Sequence, residues 1–207
     1  MANRLDRPEP PALPLAPDSY NRPFTDQNSN VLRLFFNRLM STLNALLSTD
    51  DGGKFLYMPR GLFYSTTDQT AAAINTGYPV EFENTYIGNG VSIAGANDSR
   101  ITVSADGIYN FQVTLQTAHS NSSDAKVTTW INKNGTDVPY GGQIQTVKGN
   151  ASRAIYWNFS IDLLADEYIE MYWATDDTTL TLDTIVPTSP HPGVPSTIVA
   201  VSFVSNL

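Results

Sequence analysis

Between residues 99 and 118 the chain reads SRITVSADGIYNFQVTLQTA, and apolar and polar positions alternate on both sides of one break. Ile101 and Val103 alternate with polar neighbours, and Ser104-Ala105-Asp106-Gly107 interrupts the pattern. Tyr109, Phe111, Val113 and Leu115 then alternate with Ile108, Asn110, Gln112 and Thr114. A period of two sustained over this length predicts strands with one buried and one polar face. The Asp-Gly pair predicts that the two runs form a hairpin. Tyr109, Phe111, Val113 and Leu115 are candidate core or subunit-packing residues.

Similar short runs fill the rest of the chain from residue 55 onward. They lie at 55–58, 62–65, 78–83, 91–94, 126–132, 154–164, 168–174, 180–184 and 197–204. Turn chemistry separates many of them: Gly88-Asn89-Gly90, Asn134-Gly135, Gly141-Gly142 and Gly149-Asn150. Short strands at this spacing predict an all-β jelly-roll sandwich. Trp130, Trp157, Phe159, Tyr168, Met171, Val201 and Phe203 join the core or subunit-packing set. The run at 154–164 is apolar on both faces for part of its length, which asks for a second cover such as another subunit.

Upstream the period changes to that of a helix. In DQNSNVLRLFFNRLMSTLNALL, residues 26–47, Leu32, Phe35, Leu39 and Leu46 fall at a/d spacing, and Phe36 and Leu43 widen the stripe. Thr25 or Asp26 is placed to cap the helix, and Ser48-Thr49-Asp50-Asp51-Gly52-Gly53 to end it. An isolated helix of about this length is barely stable in water, so it must pack on something. A short three-stranded bundle is favoured over packing on its own β domain. Before it, residues 1–23 hold six of the thirteen prolines and read as an extended arm. Leu5, Arg7, Leu13, Leu15 and Tyr20 are its candidate anchors. The organisation expected is thus an arm at 1–24, an amphipathic helix at 25–53 and a β domain at 54–207.

Charge separates these parts. The whole chain carries −8, but residues 61–207 hold five Lys/Arg against fourteen Asp/Glu, hence −9. Such an acidic domain is ill suited to gripping a phosphate backbone, so no nucleic-acid partner is expected. Cysteine is absent, which removes disulfides and thiolate chemistry. No secretory leader or membrane span is expected. Candidate chemistry is sparse. His119 and His191 read as loop residues, Glu81/Glu83 as an exposed strand edge, and Asp176-Asp177 as a solvated acidic turn. Asp166/Glu167 is the other carboxylate pair that a glycosidase could use. No catalytic, cofactor or metal site is expected.

The order of motifs resembles that of tumour necrosis factor-like and complement globular-head jelly rolls. The matching stretches are Asp106-Gly107-Ile108-Tyr109-Asn110-Phe111, Trp130-Ile131-Asn132-Lys133-Asn134-Gly135-Thr136, Leu164-Ala165-Asp166-Glu167-Tyr168-Ile169-Glu170-Met171 and the closing run 195–203. With the helix motif Asn30-Val31-Leu32-Arg33-Leu34-Phe35-Phe36-Asn37, the chain resembles small virion structural proteins of tailed, cyanophage-like phages. That resemblance implies a homotrimer packed through aromatic inner faces and leaves its place on the virion open. The role expected is a capsid decoration or short head fibre that contacts other virion proteins through its arm and helix. A tail-fibre or tail-adaptor component is the alternative. A receptor- or carbohydrate-binding knob using Tyr86, Tyr140 or Trp173 is another.

Overall fold

The computed structural model describes residues 11–13, 15, 18–47, 58–94 and 97–207. The candidate anchors Leu5 and Arg7, and the expected helix stop and first strand up to residue 57, lie outside them. The chain forms two compact units, residues 1–57 and 58–207.

In the first unit, α1 spans Arg22–Leu47. It begins four residues before the expected start at residue 26. Asn21 Oδ1 accepts the Phe24 N–H at 3.2 Å, so Asn21 is the cap and not Thr25 or Asp26. Pro23 fits within the first turn, where its missing N–H leaves no bond unmade. Leu32, Phe35 and Leu39 are half-buried on one stripe. Phe36, Leu43 and Leu46 are exposed beside it, and Leu13, Leu15 and Tyr20 of the arm are exposed as well.

The second unit is a sandwich of two antiparallel sheets built from β1 (Arg60–Ser65), β2 (Gln69–Thr70), β3 (Tyr78–Pro79), β4 (Asn84–Asn89), β5 (Val91–Ala94), β6 (Asn97–Val103) and β7 (Gly107–His119), then β8 (Ala125–Lys133), β9 (Thr136–Val147), β10 (Ser152–Leu163), β11 (Tyr168–Thr175), β12 (Leu180–Leu182) and β13 (Thr197–Ser205). The seven-stranded sheet runs β2-β12-β7-β13-β1-β4, with β10 on the other edge of β7. The six-stranded sheet runs β5-β6-β11-β8-β9, with β3 against β11. The jelly roll expected from the alternation, and from the resemblance, is the fold observed.

β7 is the axis of the larger sheet, pairing with β10, β12 and β13. The expected hairpin between β6 and β7 does not form. β6 pairs with β5 and β11 in the other sheet, so residues 104–106 carry the chain across the sandwich. Gly107 explains the misreading. Its φ is not positive, so it serves no primed turn; it leaves room instead, since a Cβ there would lie 2.3 Å from the Phe203 ring. Tyr109 secures the crossover by donating its hydroxyl to the Ala105 carbonyl at 2.7 Å. Burial, and then the charge of Asp106, push this phenol up to about 12.

Cross-strand register shows how the core is laid out in rows. Trp157, Val113, Val199 and Phe63 share one inward row. Phe159, Phe111, Val201 and Gly61 form the next, and Ile161, Tyr109 and Phe203 a third. Tyr109, Phe111, Val113, Leu115, Met171, Val201 and Phe203 are buried, with Phe111 stacked on Phe159 at 5.1 Å and Tyr109 edge-on to Phe203 at 5.6 Å. Trp157 and Phe159 pack on this core but are only half-buried, because β9 and β10 diverge into different sheets and leave that edge open. Trp130 and Tyr168 are half-buried on the outer side of the smaller sheet.

Candidate assembly interface

The registers that stack the core also fix which side chains leave it. Crossing the larger sheet from β10 to β4, one outward row is Tyr156, Thr114, Ile198, Tyr64 and Asn84. The next is Asn158, Gln112, Ala200, Leu62 and Ile87, and the third is Ser160, Asn110, Ser202, Arg60 and Asn89. Every position except the corner Arg60 is uncharged, in a unit whose net charge is strongly negative. Apolar groups lead the first two rows, and Tyr156 is 72% exposed. Polar groups on this face engage each other: Asn110 Nδ2 donates to Asn158 Oδ1 at 2.7 Å and to Ser160 Oγ at 3.2 Å.

The pattern at 154–164 shows apolar groups on both faces for part of its length but does not reveal Tyr64, Leu62, Ile198 and Thr114 as its companions. Their signal lay in parity, because each sits one residue from a core position on its strand. Only pairing register could show that the off-core positions line up into one surface. Five strands about 4.8 Å apart, each offering three outward residues spaced about 6.7 Å, give a planar footprint of about 480 Å². A stable interface buries about 800 Å² of accessible surface per partner. The face is therefore large enough to form a substantial part of an assembly contact. Depletion of charge is the compositional mark of an interface centre.

The expected chemical candidates turn out to be turn fasteners. Glu83 is off any strand, contrary to the exposed-edge reading. Its Oε1 accepts from the Thr66 backbone N–H, from Thr66 Oγ1 at 3.0 Å and from Asn84 Nδ2 at 3.1 Å. Glu167 accepts the Leu164 N–H at 2.8 Å and Asn134 Nδ2 at 2.7 Å, and pairs with Lys133 at 3.0 Å. The Leu164 N–H, aided by Lys133 and Asn134 against some loss of hydration, holds its carboxyl below the usual range.

His119 is no loop residue. It ends β7 with its side chain enclosed, and its Nε2 lies 3.3 Å from Asp177 Oδ2. Asp177 also accepts the Thr179 N–H at 2.9 Å, Thr179 Oγ1 at 2.7 Å and Asn121 Nδ2 at 2.8 Å. Led by the Thr179 backbone, these donors hold its carboxyl far below the usual range. The pair ties the β7 end to the β11–β12 turn. His191 is exposed between Pro190 and Pro192. Among the described residues no group of three or more His, Asp or Glu side chains gathers to hold a metal ion. No helix among them is long and apolar enough to cross a membrane.

Of the aromatics offered for a binding knob, Tyr86 and Tyr140 are exposed, but Trp173 is 1% exposed and belongs to the core. Its alternation on β11 with half-buried Tyr172 points it between the sheets.

The fold defines the class: an antiparallel jelly-roll sandwich with an amphipathic helix in a separate N-terminal unit. No protein-family model and no curated protein matches the chain. Among solved structures it is similar to that of murine APRIL at pH 5.0. The identity is 13% and the TM-score 0.47, over 71% of this chain and 99% of that one.

Proposed function

We propose that the chain is a trimeric structural protein on the outer surface of a tailed-phage virion, a capsid decoration or short head fibre anchored by its N-terminal arm and helix. The observation that carries this reading is the uncharged outward face of the seven-stranded sheet within an acidic unit. The first two outward rows, led by Tyr156, Ile198, Tyr64 and Leu62 and bounded by Arg60 and Asp162, carry no charge and fit burial against copies of themselves better than exposure to water. α1 brings an apolar stripe of its own to the trimer through Leu32, Phe35, Phe36, Leu39, Leu43 and Leu46. The acidic remainder of the domain faces solvent in this arrangement and has no nucleic-acid role. The reading assigns the chain no catalytic step.

The experiment is deletion of residues 1–24 followed by light scattering and particle reconstitution. The truncated protein is expected to remain a folded trimer and to stop joining particles. Normal incorporation would remove the arm from the anchoring role, and a monomeric full-length chain would remove the trimer. A label fused after Leu207 and imaged on particles distinguishes head from tail, the tail-fibre or adaptor position being the outcome that corrects the head assignment.

A further inference from the structure

The smaller sheet carries a second surface of different chemistry. On its outer side, Tyr172 of β11 lies opposite Trp130 of β8, which lies opposite Gly142 of β9. The two rings are near-parallel at 24°, with centroids 5.6 Å apart. The indole is locked in place: Trp130 Nε1 donates to Asp137 Oδ1 at 3.0 Å, and Asn132 Nδ2 donates to the same oxygen at 3.1 Å. Gly77 lies against the far edge of the indole, where a Cβ would come within 2.8 Å of it.

Beside this shelf β9 departs from its ladder. Trp130 pairs with Gly142 and Asn132 with Asp137, so residues 138–141 stand opposite Ile131 alone. A bulge of this size redirects side chains. Tyr140 at its crest has φ +59° and is completely exposed. A bulky side chain in the left-handed region is an outlier that the surrounding structure must enforce. The two glycines that follow let the strand return close to its neighbours, since a Cβ on Gly141 would crowd Val138 and one on Gly142 would press on the Thr129 carbonyl. The result is an open cleft of about 590 Å³ bounded by Trp130, Tyr140, Asp137, Gln143, Thr128 and Ile144.

We infer that this cleft binds a neutral saccharide. A pyranose presents C–H groups of slight positive charge on its faces and hydroxyls around its rim. The negative faces of Trp130 and Tyr140 suit the former. The Asp137 carboxylate, whose Oδ2 is unengaged among the described residues, and the Gln143 amide suit the latter. Asp137 disfavours a phosphate or a sugar acid. A nucleotide stacks on the same rings but brings the charge this site repels. The inference stands apart from the assembly reading, since the cleft lies on the other sheet from the uncharged face.

The test is a neutral-oligosaccharide array followed by titration of the best hit, read by tryptophan fluorescence and calorimetry on the full chain. At least one neutral hexose or N-acetylhexosamine oligosaccharide is expected to bind. Tyr140→Ala should weaken it about tenfold or more, while Tyr86→Ala, at an exposed tyrosine elsewhere, should leave it unchanged. Trp130→Ala risks the fold, so Asp137→Asn and Gln143→Ala serve as further site variants, with melting curves recorded for each. Binding that survives Tyr140→Ala, an array without a neutral hit, or selective capture of peptides or anionic glycans overturns the inference. Light scattering on the same samples keeps a failed saccharide site distinct from a failed trimer.

Discussion

Replacing Gly107 by alanine tests the account of the crossover most directly. A Cβ at this position would lie 2.3 and 2.8 Å from Phe203 ring carbons and 2.9 Å from the Ser205 carbonyl oxygen. Carbon contacts are comfortable at about 3.5–4.0 Å, so both neighbours must retreat by more than half an ångström. Neither is free to do so. The Phe203 ring is 4% exposed and set edge-on to Tyr109, and Ser205 is paired with Ile108 in the β13–β7 ladder. Overpacking of this kind costs about 1–3 kcal/mol, and two stiff neighbours place Gly107→Ala toward the upper end. The stiffer unfolded chain returns about 0.4–1 kcal/mol. The net expectation is a loss of about 2 kcal/mol, or about 4–8 °C in Tm for a domain of this size. Urea unfolding at fixed protomer concentration is the assay, because an oligomer's stability depends on concentration. Phe203→Leu should rescue part of the loss, giving a coupling of about 1 kcal/mol in a double-mutant cycle. A loss below about 0.5 kcal/mol, or strictly additive effects, would refute the view that Gly107 is there to admit the Phe203 ring.

Three further outcomes follow from other parts of the molecule. Ala200→Glu, at the middle of the uncharged face, should leave circular dichroism unchanged and lower the mass seen by light scattering; an unaltered mass removes that face from assembly. Leu32, Phe35 and Leu39 changed together to Asp should weaken trimerisation through α1, and equal dissociation midpoints for both proteins would count against a bundle. Folding lowers the Asp177 pKa, so its contribution is complete above the ordinary carboxylate range near pH ~4 and fades as pH falls below it. Asp177→Asn should therefore flatten the acid limb of stability against pH, and parallel limbs for the two proteins would contradict the role given to the Thr179 and Asn121 donors.

The sequence was most readable where one physical signal acted alone. The alternation of β7 coincides with its burial pattern because a strand of one sheet packed on a second has one dry face and little freedom to choose another. Asp106-Gly107 was misread because glycine serves two purposes, a backbone of unusual φ and an absent side chain, and a sequence does not say which. β9 went unread for a related reason. Pro139, Gly141 and Gly142 carry the marks of a loop, while the structure uses them to bulge a continuing strand. β4, an edge strand with Gly88 inside it, offered equally little pattern. The candidate saccharide cleft stands on that bulge, so it was hidden along with it. Tyr140 was visible as an exposed aromatic, but its partners Trp130 and Asp137 reach it only through the β8–β9 register. The candidate assembly face was half visible, since Tyr156 broke the polar side of its strand, whereas Ile198 and Leu62 needed their neighbours to become a surface.

The three partners of β7 also dictate an order of events. Tyr109 and Phe203 are paired across nearly a hundred intervening residues, while β10 reaches β7 from about half that distance. Closing the longer loop costs more chain entropy before any contact repays it, so the β7–β10 pairing is expected ahead of β13. Until β13 docks, β1 has no strand to join on that side, and Ile198, Ala200, Leu62 and Tyr64 are scattered along separate stretches of chain. The β13–β1 half of the uncharged face is thus expected to form after the β7–β10 half. A chain that has paired only β7 with β10 presents Tyr156, Thr114, Asn158 and Gln112 without Ile198, Ala200, Leu62 and Tyr64, so the full patch suited to subunit contact waits for β13.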